Sequence, residues 1–469
     1  MSLTTIKFGT DGWRAVIAEG FTFANLERVA QAYANLLKQD PSNNEDKTVV
    51  VGYDNRFHSE NFAARTAEVL FGNGFNVLMF SEAVPTPLIS WSVRELRAAG
   101  GIVITASHNP ATFNGFKIKA PFGGSAPVEV TLQVESLVDR TPVQTSNFKP
   151  SDDAQLNKAR DSYIKQISSY VDLDLIKSSK TSAVIDSMHG SGGTWVESFL
   201  KNSIIKIETI RATRDPLFGN VNPEPIDRNL EPLKKRVIQN QSLIGLATDG
   251  DADRLGAVNE LGQTMTMHEV VPIMLLHLAK KRGMKGGVVR TFSQSVLTNR
   301  IAQSFGLKVY ETPIGFKYVA DLMLNEDILI GAEESGGIGI KGHIPERDGI
   351  LNALLLLETV ITSGQSPSEL VKSVHDEFGE FYFNRIDLHK DVEQGQILVN
   401  KFAESGMGEF AGFKIKEISN LDGTKFIFDD DSWILFRQSG TEPVLRIYSE
   451  ATSVTKVQRL LDAATTISS

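Results

Sequence analysis

The chain contains no cysteine in its 469 residues. Disulfides, thiolate metal sites and a catalytic thiol are therefore excluded, and the composition fits a reducing compartment. An excess of basic charge is also missing: Lys and Arg total 48 against 57 Asp and Glu, for a formal net charge of −9. Non-specific nucleic-acid binding needs a basic footprint that this chain lacks. Any anionic ligand must be gripped by local groups of Arg and Lys. Met1 to Phe8 does not pair a basic start with an apolar run, so no secretory signal is expected. No stretch approaches the ~18 consecutive apolar residues of a membrane span. These absences point to a cytoplasmic protein with no nucleic-acid, membrane or protein partner implied.

What is present is ordinary in bulk: 41% hydrophobic and 22% charged residues. At roughly 100–200 residues per domain, the length implies three or four domains. Short apolar runs alternate with helical patterns, the mark of α/β architecture. Helices are predicted over 22–39, 63–71, 163–171, 194–200 and 296–305. Strands are predicted over 47–52, 76–80, 101–105, 182–186, 243–248, 287–290, 308–310 and 328–330. Three of these strands run into polar loops, at Ser107, Asp249 and Glu333. In open α/β sheets, ligands bind beyond the carboxyl ends of strands. The C-terminal stretch differs. A strand over 381–387, a helix over 393–402, strands over 425–428 and 433–436 around a tip at Asp429–Asp431, and a last helix over 454–467 read as α+β. The expected domains are 1–150, 151–258, 259–374 and 375–469.

Each polar loop carries its own chemistry. In Thr105-Ala106-Ser107-His108-Asn109-Pro110, the serine is a candidate nucleophile, with His108 and Asn109 as donors to phosphate oxygens. In Asp249-Gly250-Asp251-Ala252-Asp253-Arg254, residues two apart project to one side, so Asp249, Asp251 and Asp253 can converge on a hard cation such as Mg²⁺, with an oxygen of Ser107 completing the set. A calcium loop is the rival reading. Glu260 stands at its twelfth position, but Arg254 occupies the sixth, where glycine is needed. Glu333 and Ser335 are placed to hydrogen-bond sugar hydroxyls. Arg437, Ser439, Gly440 and Thr441 form a candidate phosphate cradle, with Arg446 as a second fork. Arg14, Lys117 and Lys317 are further cations for an anionic ligand, and Thr312 and Gly315 share the segment of Lys317. A hydroxyl beside a metal loop points to phosphoryl transfer through a phosphoserine.

The segments Thr105–Pro110, Asp249–Arg254, Glu333–Gly336 and Arg437–Thr441 together resemble, in order and spacing, the loops of the α-D-phosphohexomutases, across essentially the whole chain. The resemblance implies three similar mixed α/β/α domains and a smaller C-terminal α+β domain of the TATA-box-binding-protein-like type, around a central cleft. It implies that phosphorylated Ser107 donates to a hexose monophosphate, that the bisphosphate turns over in the cleft, and that the other phosphoryl group returns to Ser107. Mg²⁺ would be held by Asp249, Asp251, Asp253 and phospho-Ser107, with Arg14, Lys117 and Arg254 nearby. Glu333 and Ser335 would read sugar hydroxyls, and Arg437, Ser439, Gly440 and Thr441 would grip the phosphate that is not reacting.

Two positions depart from family patterns. Gly337 stands where some members carry histidine, and Arg347 where glucose-type members often carry lysine. Arginine stays protonated, so the proton carrier is left unassigned, with Lys117 and His108 the leading candidates. Glu333-Glu334-Ser335-Gly336 with His343–Gly349 favours interconversion of glucose 1-phosphate and glucose 6-phosphate, with glucose 1,6-bisphosphate as intermediate and activator, and with Arg347 among the substrate contacts. Mannose or glucosamine phosphates are the alternative substrates. A metal-dependent sugar phosphatase and a non-catalytic sugar-phosphate binder are the readings from other classes.

Overall fold

A computed structural model describes residues 5–9, 11–39, 47–149, 153–440 and 443–468. It divides into two compact units. Met1–Met265, Met323–Asn325 and Gly336–Pro367 form one, and Thr266–Leu322, Glu326–Ser335 and Ser368–Ser469 the other.

The first unit contains two five-stranded sheets built to one plan. In the first sheet, Thr48–Tyr53 lies between Asn76–Met79 and Gly100–Ile104, parallel to both. Gly100–Ile104 then pairs antiparallel with Phe113–Lys119, which pairs antiparallel with Trp13–Val16. In the second sheet, Ser182–Asp186 lies between Lys206–Ile210 and Ile244–Thr248, again parallel to both. Ile244–Thr248 pairs antiparallel with Leu255–Asn259. The strand that leads to Ser107 and the strand that leads to Asp249 thus hold the same place in their sheets. Both are buried along their whole length, as parallel strands covered on two faces must be.

The predicted strands coincide with observed ones to within two residues at either end, and Ser182–Asp186 coincides at both ends. Two helices start well before periodicity suggested: the one expected over 63–71 begins at Ser59. The one expected over 163–171 begins at Ala154, where Asp153 accepts the amide of Gln155 at 2.6 Å and caps it. Gly349–Ser363 was not foreseen. It is buried all round over 349–360, so no amphipathic stripe betrays it. It lies buried against Leu173–Ser178, Trp195–Phe199 and Ile244–Thr248, and Asp348 caps it by accepting the amides of Ile350 and Leu351.

The second unit repeats the parallel plan once more. Gly287–Thr291 lies between Val309–Thr312 and Ile328–Ala332, parallel to both, and Ile328–Ala332 leads to Glu333. The loops at Ser107, Asp249 and Glu333 therefore follow equivalent strands. The C-terminal part is an antiparallel sheet of six strands in the order Tyr382–His389, Val444–Ala451, Trp433–Gln438, Thr424–Phe428, Phe413–Ser419 and Glu409–Phe410. Its core includes Phe402, Phe426, Phe428, Phe436, Leu445 and Ile447 with Leu460 and Leu461 of the last helix. The four-domain α/β plus α+β architecture is therefore as expected. The strand Val444–Ala451 went unforeseen because Arg446, Ser449 and Glu450 interrupt its apolar residues.

Glu450 is itself fully buried and saturated: it accepts from His268 Nδ1 (2.9 Å), Ser295 Oγ (2.5 Å), Val296 N (2.9 Å) and Trp433 Nε1 (2.9 Å). Nearby Lys425 donates to Phe292 O at 2.8 Å and lies 4.1 Å from the Trp433 ring centroid. Burial, and then the charge of Arg290, pushes its ammonium down to about 7. Between about pH 7 and pH 10 the unfolded chain therefore holds a proton here that the folded one does not, so stability rises with pH across that window. Lys425→Met is expected to remove that rise, which is worth up to roughly 3–5 kcal/mol. Urea unfolding midpoints near pH 7 and near pH 10 measure it. An unchanged pH slope in the variant would show that Lys425 does not carry it.

Candidate active site

Ser107 stands just past the strand Gly100–Ile104. It is 1% exposed and takes a left-handed conformation with φ +52°. Its Oγ donates to Asp249 Oδ2 at 2.7 Å, and His108 Nδ1 lies 3.4 Å away. The two loops meet backbone to backbone: a Cβ at Gly250 would run into the carbonyl oxygen of Ser107. Only glycine allows that approach.

Asp249, Asp251 and Asp253 occupy the turn between Ile244–Thr248 and Leu255–Asn259, and each is 0% exposed. The positive φ of Ala252, +59°, helps fold the turn back. Asp249 engages both oxygens, Oδ2 with Ser107 Oγ and Oδ1 with its own turn, whereas Asp251 and Asp253 each commit one. Asp249 Oδ1 accepts the amides of Asp253 and Arg254 at 3.1 and 3.2 Å. Asp251 Oδ2 accepts from Thr86 Oγ1 at 2.7 Å and Lys117 Nζ at 2.8 Å. Asp253 Oδ2 lies 2.9 Å from Arg347 Nη2 and 3.3 Å from Lys117 Nζ. The second oxygens of Asp251 and Asp253 are buried without a hydrogen-bond partner. One ligand atom from each of the three carboxylates lies within 4.8 Å of the others. Three buried carboxylates, two of them with a spare oxygen and the third bonded to Ser107, suit a divalent cation with hard oxygen ligands. The loop runs straight into a strand, as the sequence suggested against the calcium-loop reading.

The charges are strongly coupled. Burial, reinforced by repulsion from Asp251 and Asp253, pushes the Asp249 carboxyl well up. Burial acts the same way on Asp251, but the ammonium of Lys117 outweighs it and holds that carboxyl below the usual range. Burial would lower Lys117, yet Asp11, Asp251 and Asp253 together raise it, so it stays an ammonium. His108 is pushed well below its ordinary value by burial and then by Arg254, Arg14 and Lys117, so its ring is neutral. Arg254 is raised by Asp249 and Asp253 despite burial. Arg14, on Trp13–Val16, donates to Asn109 Oδ1 at 2.5 Å.

The sequence reading missed the carboxylates that hold these cations. Asp11 Oδ2 pairs with Lys117 at 2.9 Å and Arg347 at 2.7 Å. Glu346, 0% exposed, accepts from Lys119 Nζ at 2.6 Å and Ser125 Oγ at 2.7 Å through Oε2, and from Arg347 N at 3.0 Å through Oε1. Arg347 is thus fixed by Asp11, Asp253 and Glu346. Asp11 lies three residues before the candidate Arg14, and Glu346 lies inside His343–Gly349. Nothing in either segment alone signals a partner more than a hundred residues away.

The structure therefore gathers Ser107, His108, Arg14, Lys117, Arg254, Arg347 and the three aspartates in the first unit. The remaining candidates belong to the second. Glu333 is buried and Ser335 half-buried. Asp422 links two of the expected groups there: its Oδ2 accepts the amide of Ile314 at 2.8 Å and Arg437 Nε at 2.9 Å. The loop of Thr312 and Gly315 is thereby tied to the candidate phosphate cradle. Lys317 lies over the Tyr318 ring at 5.0 Å. Arg437 and Arg446 face each other across neighbouring strands. Ser439 is buried, with its amide bonded to Val444 O at 2.9 Å, and Gly440 is exposed. Thr441 lies outside the described residues. Among the described residues, no helix is long and apolar enough to cross a membrane.

Comparison with known proteins agrees with this geometry. The families described as phosphoglucomutase/phosphomannomutase alpha/beta/alpha domains I, II and III match residues 5–144, 161–262 and 267–378, and the C-terminal domain family matches 408–467. A protein of Thermococcus kodakarensis named phosphoglucomutase/phosphomannomutase is 32% identical over 455 residues, 97% of this chain and 96% of that one. A phosphoglucosamine mutase of Carboxydothermus hydrogenoformans is 29% identical over 463 residues, 97% of each chain. A solved structure from Thermus thermophilus, described as a putative phosphomannomutase, superposes with a TM-score of 0.87 at 35% identity, covering 99% of both chains. With four matching domain families and a relative 32% identical along nearly its whole length, the chain belongs to the phosphoglucomutase/phosphomannomutase family of phosphohexomutase isomerases.

Proposed function

We propose that this chain interconverts glucose 1-phosphate and glucose 6-phosphate through a phosphoserine at Ser107 and a glucose 1,6-bisphosphate intermediate. The observation that carries the reading is the 2.7 Å contact of Ser107 Oγ with Asp249, one of three buried, converging aspartates of which the other two each keep an oxygen without a hydrogen-bond partner. In the first half-reaction the bond between phosphorus and Ser107 Oγ breaks as a sugar hydroxyl oxygen bonds to that phosphorus. The hydroxyl proton passes to the freed Ser107 Oγ, and neutral His108, whose Nδ1 lies 3.4 Å from that oxygen, is the base that would carry it. In the second half-reaction the bond between the other phosphorus and its sugar oxygen breaks as Ser107 Oγ bonds to that phosphorus, and the serine proton passes by the same route to the freed sugar oxygen. Lys117, held as an ammonium, and Arg14, Arg254 and Arg347 supply positive charge around the transferring group. Mg²⁺ would be held by Asp249, Asp251, Asp253 and the phosphoserine, and when bound it would offset charge on the phosphoryl oxygens.

In the second unit, Arg437, Ser439, Gly440, Thr441 and Arg446 would hold the phosphate that is not reacting, with Thr312, Gly315 and Lys317 contacting the same ligand. Glu333 and Ser335 would read sugar hydroxyls. Domain limits at 1–150, 151–258, 259–374 and 375–469 belong to the same proposal, as does a cytoplasmic setting, which the absence of cysteine supports.

Glucose is favoured by Glu333-Glu334-Ser335-Gly336 together with His343–Gly349. A second reading, glucosamine phosphate, is favoured by the 29% identity to a phosphoglucosamine mutase along 97% of the chain. One or two contacts decide between such analogues, each worth roughly 10–200-fold in kcat/KM. Catalytic efficiencies on glucose, mannose and glucosamine 1-phosphates test the choice. A preference of at least about tenfold for glucose is expected, and a preference for glucosamine or mannose overturns it. Release of inorganic phosphate faster than isomerisation would assign a phosphatase instead.

A further inference from the structure

Arg56 is a fully buried cation to which the mechanism gives no task. Arg56 is 0% exposed and follows the strand Thr48–Tyr53. Its Nη2 donates to the carbonyl oxygens of Ser107 at 2.7 Å and Asn109 at 2.6 Å. Its Nη1 donates to those of Pro110 at 2.8 Å and Phe113 at 3.1 Å. Four carbonyls of a single loop thus converge on one guanidinium. A planar fork of fixed donors can satisfy them together, whereas an ammonium on a flexible stem cannot. The Phe218 ring, 5.0 Å from Arg56 Cζ, covers the group.

The partner of Arg56 reaches the same serine from the other side. Asp54 Oδ2 lies 3.2 Å from Arg56 Nε and accepts from Thr105 Oγ1 at 2.6 Å. Asp54 Oδ1 accepts the Arg56 amide at 3.0 Å and Ser59 Oγ at 2.8 Å. Thr105 Oγ1 in turn accepts the amide of Ser107 at 2.9 Å. Both peptide groups flanking Ser107 are therefore tied to one buried ion pair. Left-handed backbone is unfavourable for a residue with a Cβ and persists only where its surroundings enforce it. A guanidinium that merely filled the core would not spend its four bonds on the one loop whose side chain meets Asp249.

We infer that Arg56, paired with Asp54, is a positioning residue that holds the backbone on both sides of Ser107 so that its Oγ faces Asp249. The inference rests on the phosphoserine reading above. Arg56→Lys keeps the charge beside Asp54 but cannot serve four carbonyls. Thr105→Val keeps volume and removes the hydroxyl that joins the Ser107 amide to Asp54. The readout is single-turnover transfer of labelled phosphate from glucose 1,6-bisphosphate to Ser107, with hexose monophosphate affinity measured alongside and folding checked by thermal unfolding.

Arg56→Lys is expected to transfer roughly 10²-fold more slowly, the cost of misplacing a reacting atom by about an ångström, with affinity within about twofold of the wild type. Thr105→Val is expected to slow transfer by about tenfold, and it carries the test if Arg56→Lys does not fold. Transfer at the wild-type rate in the folded variants, or a loss confined to affinity, overturns the inference. Wild-type protein that never takes up label fails differently, because it removes the phosphoserine reading itself.

Discussion

Ser107→Ala is expected to abolish isomerisation, lowering turnover by about 10⁴-fold or more, since a nucleophile acts as one unit with the groups around it. The substitution removes one oxygen and leaves every charge in place. Asp249, whose Oδ2 accepts from Ser107 Oγ at 2.7 Å, loses that donor. Its Oδ1 keeps the amides of Asp253 and Arg254, so the turn itself should stand. Folding stability is expected to change by no more than about 1–2 kcal/mol, the scale of one hydrogen bond to a charged group. Hexose phosphate affinity should change little, because the candidate phosphate and sugar contacts lie elsewhere in the chain. Intact mass should then show one phosphate on the wild type after exposure to glucose 1,6-bisphosphate and none on the variant. A variant that still isomerised at an undiminished rate would end the phosphoserine mechanism. A phosphorylated variant would move the acceptor to another side chain.

The fold and the loops were legible in the sequence for different reasons. The strands before Ser107, Asp249 and Glu333 are buried on both faces, so each reads as an unbroken apolar run ending where the polar loop begins. The Asp-x-Asp-x-Asp spacing announces convergence within a single turn. What could not be read was partnership across distance. Lys117 meets Asp251 over a sequence separation of 134, and Lys119 meets Glu346 over 227. Periodicity is local and carries no information about such pairs. The same limit hid Arg56, which looks like any surface arginine until its four carbonyl partners are seen. Gly349–Ser363 and Val444–Ala451 failed for opposite reasons. The helix is buried all round over 349–360, so it has no stripe. The strand is interrupted by Glu450, an acid whose burial makes sense only beside His268, Ser295 and Trp433.

Removing divalent metal is expected to cost as much activity as any single substitution other than that of Ser107. Treatment with a chelator should lower turnover by at least about 10³-fold, the scale of losing a preorganised electrostatic element and more, and Mg²⁺ should restore it. Three aspartates at 0% exposure, two of them with an unpartnered oxygen, are costly to keep ionised together. Burial and the charges of Asp251 and Asp253 push Asp249 well above the usual carboxyl range.

The folded, metal-free protein therefore holds a proton here that the unfolded chain has released, and its stability falls as pH rises through that window. A cation that takes the proton's place reverses the trend. Mg²⁺ should thus raise the unfolding midpoint more at neutral pH than at mildly acidic pH. At a concentration of 100 times Kd the gain is about 2.7 kcal/mol. Asp251→Asn should weaken both effects, with activity down at least about 10²-fold, because it neutralises one ligand while its amide can still accept from Thr86. Thermal unfolding with and without Mg²⁺ at two pH values separates the binding effect from the catalytic one. Full turnover after exhaustive chelation, or an unfolding midpoint indifferent to Mg²⁺ at either pH, would mean that the three aspartates are held together by Lys117, Arg254 and Arg347 alone.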